Sequence, residues 1–241
     1  MINEFSSLIL IGIGIGFLPS FIWLLFWLHE DKHPEPVKSL IKAFFAGMLA
    51  VPCAIILQYI VIWSLELDMK TLAIENLIGF NLILVVILWA TAEEILKFFA
   101  CAEISLIRSD DDEPIDPVIY LITSALGFAA VENILFILSP LFEGNILEAI
   151  ISTNMRFMGA TLLHLVASGL IGLSIGFVFY KDKKTKIFAI ILGLCGAIAL
   201  HTIFNLIIIK AQVYTFTAFV LVWVLVIGLI LTIEKIKLIK K

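Results

Sequence analysis

Charge is scarce in this sequence. Only 15% of its 241 residues are Asp, Glu, Lys or Arg, where soluble globular domains carry about 25%. That excludes a soluble enzyme and a disordered chain alike. A basic excess is missing too: the formal net charge is −4, so no cationic face exists for nucleic-acid phosphates, and nucleic acid is excluded as a partner. Cysteine is limited to Cys53, Cys101 and Cys195. All three lie inside apolar runs and none forms a CxxC, which excludes a disulfide framework and a thiolate metal site. Neither an HExxH nor any cofactor-binding motif occurs.

What is abundant is apolar surface. Hydrophobic residues make up 62% of the chain and the mean hydropathy is +1.13. Crossing a bilayer takes about 20 apolar residues, and runs of that length occur at 5–28, 43–65, 78–102, 117–139, 157–180, 187–209 and 211–233. The first begins with the acidic segment Met1-Ile2-Asn3-Glu4 and is too long for a signal-peptide core, so it reads as a retained span. The expectation is an all-α polytopic membrane protein of about seven transmembrane helices, folded as a single membrane-embedded domain over 1–241 in the lipid bilayer of the cell membrane. No internal repeat is visible beyond a shared Glu75-Asn76 and Glu132-Asn133 dipeptide.

Positive charge sets the orientation. Of the 16 Lys and Arg, twelve fall in the loops 29–42, 103–116 and 181–186 and the C-terminal tail. Lys70, Arg156 and Lys210 lie in the alternate set, and Lys97 lies within a span. The N-terminus is therefore expected outside and the C-terminus in the cytoplasm.

An ionisable group near the bilayer centre costs roughly 2.5–3.5 kcal/mol even on lenient insertion scales, so each one asks for a reason. The spans carry Glu93, Glu94, Lys97, Glu132, His164 and His201, with Asn133 and Asn205 beside them. At about 1.5 Å rise per residue, these groups fall in one slab near the midplane, biased outward, although their helices run in both directions. Scatter over the roughly 30 Å hydrocarbon core is what chance placement would give. Bland readings exist for several: Glu93 and Lys97, i and i+4 on one face, could form a structural ion pair, and His164, Asn133 and Asn205 could be interhelical hydrogen-bonding residues. The adjacent Glu93-Glu94 pair resists that treatment, since side chains about 100° apart on one helix cannot both be satisfied by one Lys.

Two imidazoles, several carboxylates and an amide suit water activation for hydrolysis. A glutamate takes a proton from water, imidazoles hold that water or a metal, and an amide donates to a developing oxyanion. Glu132, His164 and His201 would form a His₂Glu set of the catalytic-zinc type. The sequence leaves open whether one divalent transition metal, zinc, is bound or whether a glutamate alone activates the water.

The polar residues also fall into a recognisable pattern. Glu93-Glu94-Ile-Leu-Lys97, Gly127-Phe-Ala-Ala-Val-Glu132-Asn133 and His201-Thr-Ile-Phe-Asn205, preceded by Asp31-Lys32-His33-Pro34-Glu35-Pro36, resemble the ordered motifs of the PrsW family of intramembrane proteases. The related type II CAAX prenyl endopeptidases carry EExxxR, a motif not met here because position 98 is Phe. The resemblance implies a polytopic metalloprotease cleaving single-span membrane-anchored proteins, in the best-known case an anti-sigma factor at its extracytoplasmic site 1. Residue chemistry and resemblance together give the expected roles: Glu93 or Glu94 as general base, Lys97 orienting the glutamates, Glu132, His164 and His201 holding water or metal, and Asn205 stabilising the oxyanion, with His164 placed by its depth and not by a family motif.

Rival patterns are weaker. Gly172-Leu-Ser174-Ile-Gly176 fits the nucleophile motif GxSxG, but Ser174 and His201 differ in expected depth by roughly 12 Å. Gly169, Gly172 and Gly176 read better as a helix-packing face. His29 and His33 are spaced like ligands, but Pro34 and Pro36 make this a cytoplasmic turn, and Asp110-Asp111-Asp112-Glu113 lacks the Gly and final Glu of a calcium loop. The last span offers no Lys for a retinal Schiff base. A proton- or metal-ion transporter using the same Glu/His cluster is the alternative of a different class, and its expected inverted repeats are not visible.

Overall fold

A computed structural model describes residues 2–30, 33–67, 80–102, 113–210 and 214–240. Lys70, Arg108, the Glu75-Asn76 dipeptide, Asp31, Lys32 and Asp110 to Asp112 lie outside the described residues, so the readings placed on them are not met by a structure. The described residues contain helices and no strand.

The helices are α1 (Ile2–His29), α2 (Val37–Ser64), α3 (Phe80–Ala102), α4 (Asp116–Phe142), α5 (Ile146–Met155), α6 (Thr161–Phe177), α7 (Lys183–Lys210) and α8 (Thr215–Ile236). A π-helical turn, Arg156–Ala160, joins α5 to α6 into one continuous stretch of 32 residues. Their limits follow local chemistry. Pro36 precedes α2, and Pro117 opens α4 where its missing N–H costs nothing. Asn145 caps α5 by accepting from the Glu148 N–H at 3.1 Å, and Glu148 accepts in return from the Asn145 amide at 2.7 Å. Asp182 caps α7 through the N–H groups of Lys184 and Thr185.

Among the described residues, six helices are long and apolar enough to cross a membrane: α1, α2, α4, the continuous α5–α6, α7 and α8. The helix α3 falls outside that group and holds Glu93, Glu94 and Lys97 in its 23 residues. In the most apolar stretch of α4, 67% of residues are buried, and in that of α5–α6, 78%, against 22–33% in the other four. The pair α4 and α6 is thus the centre, and the remaining helices surround it. Their outer faces expose large apolar residues such as Leu10, Leu49, Trp63 and Phe216, a surface that suits lipid.

Small residues let the central backbones touch. A Cβ at Gly127 of α4 would lie 2.0 Å from the Phe44 carbonyl oxygen, and one at Gly47 of α2 would lie 1.9 Å from that of Ser124. On α6, a Cβ at Gly172 would come within 2.5 Å of the Val118 Cα. Gly176 meets the Pro114 carbonyl oxygen in the same way, whereas Gly169 makes room for the Leu229 side chain. This is the packing face expected of those glycines. Ser174 of the rejected dyad donates to Leu170 O in its own helix.

Candidate active site

Five helical segments place polar side chains into the centre of the bundle. From α3 come Glu93, Glu94 and Lys97; from α4, Glu132 and Asn133; from the π-turn, Arg156; from α6, His164; from α7, His201. Burial is nearly complete: Glu94 and Lys97 are fully enclosed, and Glu93, His164 and His201 are buried. The structure therefore brings together the six ionisable residues that the apolar spans carry.

The contacts form one chain. Arg156 Nη2 donates to Glu132 Oε2 at 2.6 Å, and its Nε donates to Asn133 Oδ1 at 2.6 Å. His164 Nε2 lies 2.7 Å from the same Glu132 oxygen, and its Nδ1 lies 3.0 Å from Lys97 Nζ. Lys97 Nζ donates to Glu94 Oε1 at 2.6 Å, which also pairs with His201 Nδ1 at 2.6 Å. His201 Nε2 faces Glu93 Oε2 at 3.7 Å, and Glu93 Oε1 accepts from Gln58 of α2 at 2.9 Å. The two imidazoles meet edge to face, with centroids 5.1 Å apart.

In the neutral form of each ring these partners select one tautomer. A carboxylate only accepts, so His164 donates at Nε2 to Glu132 and keeps its lone pair at Nδ1, and His201 donates at Nδ1 to Glu94 and keeps its lone pair at Nε2. Each ring is thus oriented by a carboxylate on one nitrogen, the arrangement typical of metal-ligating histidines. One ligand atom each from Glu93, His164 and His201 lies within 4.8 Å of the others. The Oε2 atoms of Glu93 and Glu94 are buried without a hydrogen-bond partner among the described residues, and such atoms carry a desolvation cost that a bound water or cation would relieve. The donor set fits a divalent metal of the His₂Glu kind.

Several sequence expectations are redrawn. The ion pair expected between Glu93 and Lys97 is instead Glu94–Lys97, at i and i+3, because Glu93 turns toward Gln58 and His201. Glu132, expected beside the two histidines as a ligand, sits one step out, holding His164 and Arg156. Glu93 takes the place beside them. Asn205 is half-buried, one turn from His201, and no hydrogen bond joins it to the cluster among the described residues.

Gln58 and Arg156 are the cluster residues that sequence reasoning does not single out, and Arg156 is the charged one. It was counted in a loop before a span starting at 157, yet it is buried in a continuous helix and stacks on Phe136 at 4.2 Å. The signal was present: Asn145-Ile-Leu-Glu148 is a helix-start signature, which would put Arg156 three turns into a helix. The cluster is least enclosed on this side. The Glu132 and Arg156 side chains are 23% and 11% exposed, while those of Glu94 and Lys97 are sealed.

With this geometry in view, the chain was compared with known proteins. Residues 35–231 match the PrsW family of intramembrane metalloproteases. A "Protease PrsW" of Oceanobacillus iheyensis is 26% identical over 216 residues, covering 88% of this chain and 91% of that protein. The Bacillus subtilis "Protease PrsW" is 23% identical over 197 residues, covering 81% and 82%. That of Geobacillus kaustophilus is 25% identical over 158 residues, covering 66% of this chain but only 60% of the relative. No solved structure gives a significant match.

Proposed function

Because the chain belongs to the PrsW family of intramembrane metalloproteases, we propose that its buried cluster hydrolyses peptide bonds of single-span, membrane-anchored proteins. The observation that carries this reading is the meeting of Glu93 Oε2 and His201 Nε2, 3.7 Å apart. Each is the uncommitted atom of a side chain held elsewhere by its other polar atom: Glu93 by Gln58, His201 by Glu94.

A water between these two atoms would be held by the His201 lone pair and deprotonated by Glu93, the general base. Glu93 fits that role better than Glu94, whose Oε1 already serves Lys97 and His201. Glu94 and Lys97 position the ring and the base. The proton taken up by Glu93 would then pass to the leaving amine. Asn205, one turn beyond His201, is the amide proposed to donate to the tetrahedral oxyanion once substrate is bound. Glu93, His164 and His201 are the residues that would hold a divalent metal, zinc being the first choice, which when bound supplies Lewis-acid polarisation of water and carbonyl.

The proposed setting is a seven-span protein with the N-terminus outside. Entry beside Glu132 and Arg156 then faces the outer leaflet, which suits an extracytoplasmic cut in a membrane-anchored regulator such as an anti-sigma factor. The ion-transporter alternative draws no support from the comparisons, all of which name proteases.

The test is cleavage of a single-span substrate by purified protein in proteoliposomes. Wild type is expected to produce a defined cut, and Glu93→Gln to lose about 10²–10⁴ in rate while remaining folded. Equal rates for the two proteins would overturn the assignment.

A further inference from the structure

Of the two imidazole lone pairs turned toward the cluster, only one is taken. His201 Nε2 faces a carboxylate oxygen at 3.7 Å, while His164 Nδ1 receives the Lys97 ammonium at 3.0 Å. A metal ligated by His164 would sit on that same lone pair, in the ring plane, about 2.0–2.1 Å from Nδ1. The lysine nitrogen and a metal would then stand within roughly 1 Å of each other if both follow the lone-pair direction. Two cations cannot share that position. The other nitrogen offers no escape, since Nε2 is committed to Glu132 at 2.7 Å.

Lys97 is equipped to leave without being expelled from the site. It keeps a second partner, Glu94 Oε1, at 2.6 Å, and its ammonium lies 5.3 Å from the Phe128 ring centroid, so a small rotation of its four-carbon stem trades one contact while retaining two. Charge also favours an exchange. Around the two rings stand the carboxylates Glu93, Glu94 and Glu132 and the cations Lys97 and Arg156. Lys97 is spent on Glu94 and Arg156 on Glu132, which leaves Glu93 with no cationic side chain of its own.

We propose that Lys97 is a resident cation that competes with a divalent metal for Nδ1 of His164, giving the site two mutually exclusive states. In the first, the ammonium holds His164 and the site has only Glu93 and His201 for a water. In the second, Lys97 rests on Glu94 and Phe128, and His164 joins Glu93 and His201 as a third ligand. The consequence rests on the protease reading above, but the competition itself is a property of metal binding alone.

The experiment is a Co²⁺ titration of the full chain in detergent, read by the visible absorption of cobalt and by bound cobalt per chain, with no substrate present. Lys97→Met and Lys97→Gln remove the competing charge, and Gln retains a donor for Glu94 should Met fail to fold. Both are expected to bind Co²⁺ about 10–100-fold tighter than wild type, the scale on which a ligand's immediate neighbours tune affinity. Lys97→Arg, which keeps a cation, is expected to bind no tighter than wild type, and His164→Ala in the Lys97→Gln background is expected to lose the gain. Unchanged or weaker binding in a folded Lys97→Met or Lys97→Gln protein would overturn the proposal, as would a gain that survives His164→Ala. Failure of the protease reading is seen separately, as absence of Glu93-dependent cleavage by wild type whatever the cobalt result.

Discussion

At the scale of single residues, two carboxylates with the same sequence environment have different work. Glu93 and Glu94 are adjacent, yet one keeps an unpartnered oxygen facing His201 and the other is clamped between Lys97 and His201. Glu94→Gln is therefore expected to disturb folding as well as rate, because it leaves Lys97 charged and enclosed without its carboxylate. Thermal unfolding in detergent checks this: Glu93→Gln should melt close to wild type and Glu94→Gln clearly below it. Arg156 makes the reverse case, a cation whose loss strands Glu132. Arg156→Ala is expected to cost roughly 3 kcal/mol, the lower end for breaking a buried pair, since Glu132 is 23% exposed. Arg156→Lys should recover part of the loss, as one of the two directed donors can be replaced, and denaturant unfolding measures both. Most of this cluster was legible in the sequence, because a charge inside an apolar run has to be explained. The pairing within it was not. Positions i+3 and i+4 are near-equivalent on a helix surface, so only the neighbours on α2 and α7 decide that Lys97 goes to Glu94.

At the scale of elements, what holds the cluster in register is backbone contact between helices. Gly127 lies five residues before Glu132 on α4 and packs on the Phe44 carbonyl of α2, while Gly47 returns the contact against Ser124. The helix α2 also delivers Gln58 to Glu93. Forcing α2 and α4 apart would therefore move the base relative to His164. Gly127→Ala is expected to cost about 1–3 kcal/mol, the usual penalty for overpacking, and to reduce cleavage further than stability alone explains. Gly14→Ala and Gly228→Ala are the controls: a Cβ at either position meets nothing within 4 Å, and both proteins should match wild type in unfolding and cleavage. Helix ends marked by Pro36 and Pro117 were readable from sequence. The fifth apolar run begins at 157, whereas the helix that carries it begins at Ile146. Its first turns, through Glu148 and Asn154, are too polar to join an apolar run, although they continue the same helix through the π-turn. A single π-turn inside a helix is often found beside a functional site, and here it is the turn that carries Arg156.

At the scale of the whole molecule, six apolar helices stand out among the described residues, and α3, the proposed seventh crossing, is the one whose composition is broken by Glu93, Glu94 and Lys97. A helix carrying Glu93, Glu94 and Lys97 is poorly suited to lipid on its own, yet Leu82, Val85, Val86 and Ala90 are buried beside the cluster, so α3 is held by protein on its polar side. Whether α3 crosses decides the topology: with seven crossings the termini lie on opposite sides, with six on the same side. The positive charge of the loop 181–186 and of the C-terminal tail predicts a cytoplasmic location for both. Reporter fusions at the two ends should then give a cytoplasmic C-terminus and an extracytoplasmic N-terminus. The proposed arrangement also predicts the side from which the site is reached. Asn154, exposed two residues before Arg156, should be labelled by a membrane-impermeant thiol reagent from outside once it is replaced by Cys in a chain lacking Cys53, Cys101 and Cys195. A cysteine at Lys184, exposed in the 181–186 segment, should be labelled only after the cell is opened. Labelling of both from the same side would remove the continuous α5–α6 helix as a crossing, and with it the orientation that puts Glu132 and Arg156 toward an extracytoplasmic substrate; α3 is tested by the reporter fusions, which would place both termini on the same side if it did not cross.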